Sequence, residues 1–175
     1  MRSSTLRLKD LCVFALLAAV IIASQLAMQM IIGVQLVGLF ISAITLTYRV
    51  RALIPIYVYI ALYCLLHFNP YSIPYLYIWL PLWGMFMVVG KFKMPGILKT
   101  VLSMILCGLY GLSFGTLYAP VQMIIMNWDF DNITKWIIIG FFTADIPHAI
   151  NNFALGVLII PLSELLKKLN NTSSP

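Results

Sequence analysis

The segment Thr143 to Asn152, TADIPHAINN, sets an aspartate, a proline, a histidine and two asparagines inside a stretch that otherwise reads as apolar helix. An ionisable group at the bilayer centre costs roughly 2.5 to 3.5 kcal/mol on insertion scales, so it marks a polar cavity or pathway. At about 100° per residue, Asp145, His148 and Asn152 fall on one helix face, with Gly156 close to the same line. Pro147 has no amide hydrogen to offer the carbonyl of Thr143, which leaves that acceptor for a side chain, a water or a ligand. The face suits either a polar ligand or a self-contained interhelical network with Gln25 or Gln29 as partners. Acid–base work by Asp145 with His148 lacks support elsewhere. The only other histidine is His67, and there is no H-E-x-x-H spacing and no paired carboxylate inside the membrane. Ligand binding without enzymatic activity is the better reading.

The elements that must position this face are membrane helices. Hydrophobic residues make up 62% of the chain and charged ones 9%, where an average soluble domain carries about 25% charged residues. Arg2, Arg7 and Lys9 before an apolar run imitate a signal peptide. The run outlasts the usual apolar region of about 7–15 residues, however, and no clean A-x-A site follows, so it reads as a membrane helix. From Leu11 to Tyr48 there is no formal charge. As one helix that run would reach about 57 Å, roughly twice the thickness of a hydrocarbon core, so it must fold back, with Gly33, Val34 and Gln35 at the bend. The run from Ala52 to Gly90 follows the same arithmetic, turning at HFNPYSIP. Together with one span on either side of Asp129 and Lys135, these give six helices, near 11–31, 35–48, 52–67, 73–90, 100–125 and 134–160.

The expected fold is therefore an all-α integral membrane protein, one six-helix bundle over residues 1–175. Of the 11 lysines and arginines, only Lys135 falls opposite the side of the termini, beside Asp129 and Asp131. The rest are Arg2, Arg7, Lys9, Arg49, Arg51, Lys91, Lys93, Lys99, Lys167 and Lys168, a bias that makes both termini cytoplasmic in a multi-pass protein of the cell membrane. The pI near 9.3 reflects these loop charges rather than a nucleic-acid surface. Cys12, Cys64 and Cys107 stand singly with no C-x-x-C spacing and are expected to be buried packing residues. No metal set, nucleotide-binding loop or internal repeat is legible, and no cofactor is expected.

Two further stripes accompany the polar face. In the first helix Ala15, Ala19, Ala23 and Ala27 recur every fourth residue, a ridge over which helix backbones can approach closely in lipid. It packs either inside the chain or on another subunit. Gly108, Gly111 and Gly115 offer a second small face that could be its internal partner. In the fourth helix Tyr75, Trp79 and Trp83 recur at the same spacing. Trp79 and Trp83 lie too deep for interfacial anchors, so they face a flat heteroaromatic ligand, the lipid or a packed interior. The fifth helix adds Tyr110, Phe114, Tyr118 and Gln122.

With the spans drawn, the chain resembles the substrate-binding S-components of energy-coupling-factor vitamin transporters. The resemblance rests on the ridge Ala15, Ala19, Ala23, on GVQLVGLF opening the second helix, and on DIPHAINNFALGVLIIPL in the sixth, followed by Lys167 and Lys168. It covers nearly all of the chain. It implies docking of the alanine ridge on a membrane coupling subunit driven by two ATPase subunits, and capture of a vitamin or vitamin precursor from the outer side. The implied pocket draws on Gln29, Gln35, Tyr75, Trp79, Tyr118, Gln122, Asp145, His148 and Asn152. The N-terminal histidine motif of the nickel and cobalt members is missing, which favours an organic substrate. Two other classes stay open, an intramembrane enzyme on Asp145 and His148 and a self-associating channel or scaffold built on the ridge.

Overall fold

A computed structural model of the chain describes residues 8–31 and 34–172, with side chains to Asn170. The described residues fold into helices α1 (Leu8–Met28), α2 (Val37–Tyr48), α3 (Leu53–Leu66), α4 (Tyr75–Val89), α5 (Gly96–Met126), α6 (Phe130–Gly140), α7 (Ile146–Leu155) and α8 (Ile159–Thr172). Five helical stretches are long and apolar enough to cross a bilayer: Leu8–Met28, Val37–Leu66, Pro70–Val89, Gly96–Met126 and Phe130–Asn170. Arg2 and Arg7 of the basic-residue count, and Gly33 of the expected first bend, lie outside the described residues.

The second stretch is not a straight rod. A tight turn at Arg49–Ala52 separates α2 from α3, and Arg49 has φ 58°, a left-handed conformation uncommon for a residue with a side chain. Three contacts hold it there. The Trp83 indole N–H donates to the Arg49 carbonyl at 3.3 Å, and Arg49 Nη2 donates to the carbonyl of Met87 at 2.6 Å. Gly90 leaves the space, since a Cβ on it would stand 1.7 Å from Arg49 Nη1. From this turn α2 packs on α4 and α8, whereas α3 packs chiefly on α1.

The last stretch begins earlier and ends later than the apolar pattern predicts. Asp129 caps α6, its Oδ1 accepting the Asn132 N–H at 2.8 Å, and Asp131 pairs with Lys135 one turn on, so helix starts at Phe130. Between α6 and α7 the helix widens into a π turn over Phe141–Asp145, closed by the Ile146 N–H on the Phe141 carbonyl. The wider turn sits just before Pro147, where the α-helical ladder must lose a donor in any case. A short 3-10 turn at Gly156–Leu158 leads into α8, whose alternation of leucine with lysine and asparagine carries it beyond the apolar segment.

The largest interhelical contact joins α5 to α7, and glycine is the reason. A Cβ on Gly111 would lie 2.6 Å from Ala149 Cα, one on Gly115 2.6 Å from Asp145 Oδ2, and one on Gly156 2.5 Å from Met104 Cα. Gly108 faces the Phe153 Cβ. The glycine face thus packs on the polar segment, not on the alanine ridge. That ridge points outward: Ala15, Ala19, Ala23 and Ala27 are exposed, while α1 buries Phe14, Ala18, Ile21, Ile22 and Gln25. The exposed side of α1 also carries Leu16, Val20 and Leu26, so the ridge is not packed inside the chain. Of the cysteines only Cys107 is buried; Cys64 is half-buried and Cys12 exposed, because Cys12 lies on the outward side of α1.

The seam makes a mutational contrast. Gly111→Ala forces its methyl onto the Ala149 backbone, which cannot yield as a side-chain tip does, and should cost about 1–3 kcal/mol. Gly84→Ala meets nothing within 4 Å and should leave stability unchanged or slightly raised. Thermal melting in detergent reads both; equal melting of Gly111→Ala and wild type would mean that the seam is loose.

Candidate ligand-binding site

Aromatic rings from α3, α4 and α5 converge inside the bundle. His67 stacks on Tyr63 with centroids 4.4 Å apart, and Tyr63 stacks on Tyr75 at 4.2 Å. Tyr75 leads to Trp79 at 6.2 Å, and Trp79 meets Tyr59, Tyr110 and Phe114 at 6.4, 5.9 and 6.1 Å. Phe114 stacks on Tyr118 at 6.1 Å and presents its edge or face to His148 of α7 at 5.6 Å. The spacing that aligns these rings on each helix is four residues, close to one turn. Centroid separations of about 4.5–7 Å with tilted or stacked planes are the favourable geometry for such pairs.

Polar tips at the margin of this cluster are satisfied. Tyr110 Oη donates to the Ile78 carbonyl at 2.8 Å and Tyr77 Oη to the Leu117 carbonyl at 2.7 Å, while Tyr118 Oη donates to the Tyr71 carbonyl. The centre differs. Tyr59 Oη and Trp79 Nε1 are buried with no hydrogen-bond partner in the protein, although their residues are 0% and 2% exposed. His148 Nδ1 and Asp145 Oδ2 are buried and unpartnered as well. Only the other Asp145 oxygen is engaged, Oδ1 accepting the Gly115 N–H at 3.0 Å. A buried polar atom left unsatisfied typically costs about 1–3 kcal/mol, so four of them around one cluster form a concentrated deficit.

On its other side His148 lines a cavity of about 180 Å³, together with Gln25, Met28, Gln29, Ile31, Val34, Gln35 and Ala144. Amides from α1 and from the segment leading into α2 therefore face the α7 imidazole. Asn151 fastens this wall, its Nδ2 donating to the Gln35 carbonyl at 2.9 Å. The site has two parts, a polar cavity and an aromatic cluster, joined at His148.

The sequence-derived residues divide among these parts. Gln29, Gln35 and His148 line the cavity; Tyr75, Trp79 and Tyr118 belong to the ring cluster; Asp145 sits in the seam with α5, against Gly115. Gln122 is buried one turn beyond Tyr118. Asn152 is set apart, packing its Oδ1 near Gly38 of α2 and close to Leu82. A lipid-facing stripe is excluded for Tyr75 and Trp79, both buried. Trp83, the third member of that stripe, serves the Arg49 turn instead. Tyr59 and Tyr63 of α3, with His67 just past its end, join the cluster as well, outside the stripes that the sequence singles out, although they share the four-residue spacing. Among the described residues no group of three or more His, Cys, Asp or Glu side chains comes together. Comparison of the chain with family models, with curated proteins and with solved structures found no match.

Two ring substitutions separate an unpartnered polar tip from a bonded one. Tyr59→Phe removes an O–H that has no acceptor and leaves the buried ring in place, so the isolated protein should melt at the wild-type temperature or above. Tyr110→Phe removes the donor to the Ile78 carbonyl and should cost about 0.5–1.5 kcal/mol. Thermal melts of both variants in one detergent decide it; a larger loss for Tyr59→Phe would show that its O–H is already satisfied.

Proposed function

We propose that this chain is the substrate-binding subunit of an energy-coupling-factor importer, taking a vitamin or related micronutrient from the outer side of the cell membrane. The observation that carries this reading is the cluster of buried, unpartnered polar atoms, Tyr59 Oη, Trp79 Nε1, His148 Nδ1 and Asp145 Oδ2, set among stacked rings and beside an amide-lined cavity. A flat ligand with its own donors and acceptors satisfies those atoms and stacks on the rings, so the cost held in the free protein is returned on binding. The cavity is smaller than the roughly 300–1,000 Å³ of ordinary ligand pockets, so capture includes a parting of the rings or of the α1–α2 connection.

Six crossings fit the reading, with α2 and α3 passing separately on either side of the Arg49 turn. They are about 18 and 21 Å long as helices, and their flanking turns supply the remainder. The basic residues then gather on the cytoplasmic face with both termini. The outward alanine ridge is the surface for a membrane coupling subunit, which two ATPase subunits drive; small residues there let a partner backbone approach. The polar face belongs to binding and not to catalysis, since His148 and Asp145 meet different neighbours, Phe114 and Gly115.

Native mass spectrometry of the protein extracted from its own membrane tests capture through a retained small molecule, and the same preparation tests assembly through co-purified ATPases. Ala19→Leu separates the two. Bulk on an exposed ridge should abolish co-purification and ATP-driven uptake, with an unchanged melting temperature and unchanged retention of the small molecule. Survival of both assembly and uptake would remove the ridge from the coupling surface. Self-crosslinking along α1 with no ATPase partner would instead favour a homo-oligomeric scaffold.

A further inference from the structure

The charge of the ligand is not set by the reading above, but the distribution of acidic and basic groups bears on it. The sequence has 5 aspartates and glutamates, and four of them are not buried. Asp10 pairs with Arg51 at 3.8 Å, Asp129 caps α6, Asp131 pairs with Lys135, and Glu164 is exposed on α8. Asp145 alone is buried, 2% exposed, with one oxygen on the Gly115 N–H and the other without a partner. Among the described residues, no lysine or arginine lines the cavity or joins the ring cluster. The cation nearest along the chain, Lys135, is paired and lies on α6. A buried carboxylate oxygen is satisfied by a proton or by a cationic partner. His148, one turn after Asp145, meets the Phe114 ring, and from Phe114 the cluster runs through Tyr118, Tyr75 and Trp79, whose π faces attract a desolvated cation and give nothing comparable to an anion. Gly115 is what brings the two together, because any side chain there would displace the carboxylate.

We infer that the site takes a planar organic cation, a heteroaromatic ring carrying or conjugated to a positive nitrogen, with the ring in the aromatic cluster and the positive charge towards Asp145. Uncharged Trp79 N–H and Tyr59 O–H groups then meet acceptors on the ring edge, and the amides Gln25, Gln29 and Gln35 face its polar substituents. Phosphorylated or carboxylated forms of the same ring are excluded, since no fixed positive charge receives them. The inference rests on the reading of the chain as a binding subunit but not on its assembly with ATPases.

The test uses the full chain in lipid nanodiscs and three rings of nearly one shape, with tryptophan fluorescence as the readout. These are 1-methylquinolinium, quinoline at a pH where it is uncharged, and quinoline-2-carboxylate. The cation should bind about tenfold or more tighter than quinoline, and the carboxylate more weakly than quinoline. Asp145→Asn keeps an acceptor for the Gly115 N–H and removes the charge, so it should bring the cation-to-neutral ratio close to one while the affinity for quinoline barely changes. Equal or tighter binding of the neutral or anionic ring by the wild-type protein overturns the inference, as does failure of all three rings to bind. A ratio unchanged in folded Asp145→Asn overturns it too. The wild-type series alone suffices should the variant fail to fold. Ring binding without charge preference, in a protein that co-purifies with ATPases, would sink the cation and leave the importer. Charge-selective binding without ATPases would do the reverse.

Discussion

Close approach of the α5 and α7 backbones is the constraint on which the interior depends. In lipid there is little hydrophobic drive between helices, and packing must come from van der Waals contact and from polar groups with nowhere else to go. Gly108, Gly111, Gly115 and Gly156 supply the contact by omitting side chains where Phe153, Ala149, Asp145 and Met104 press in. The same approach brings the Asp145 carboxylate within reach of a backbone N–H on α5 and turns His148 towards Phe114. Structure and candidate site are thus one arrangement. Pro147 and the π turn before it set the rotation at which α7 meets α5, so the break in the helix is a means of aiming two ionisable side chains.

Around that seam the protein tolerates an uneven distribution of satisfaction. Peripheral tyrosines reach carbonyls on neighbouring helices and tie α4 to α5, whereas Tyr59 and Trp79 at the centre of the same rings do not. Each buried polar group left unpaired is costly, and here that cost is gathered in one region of the fold. The amide-lined cavity beyond His148 gives the cluster a polar side.

At the opposite end of α2 a second local arrangement is built for geometry alone. Arg49 in a left-handed conformation, held by Trp83, Met87 and Gly90, separates α2 from α3 and lets each choose its own neighbours. On the outer surface of α1 the small residues remain unused by the bundle. The outward side of α1 mixes these alanines with Leu16, Val20 and Leu26, while Ala18 is buried along with Phe14, Ile21 and Ile22.

Composition and charge-free run lengths by themselves determined an all-helical membrane protein, because each backbone group in hydrocarbon must be bonded within its own helix. The four-residue spacing also placed Tyr75, Trp79 and Trp83 on one helix face, and the three-residue step from Asp145 to His148 put those two on another, since a helical turn spans about 3.6 residues. Periodicity says which residues share a face but not what the face meets. Only the tertiary structure turned the alanines outward, paired the glycines with α7 and gave Trp83 to the Arg49 turn while Trp79 joined the rings. It also added Tyr59, Tyr63 and His67 from α3, and it carried the last helix past both ends of the apolar pattern through a cap and an amphipathic tail. Those outcomes depend on which neighbour each face finds in three dimensions, and in a chain where nearly every face is apolar, hydrophobic patterning cannot choose among them.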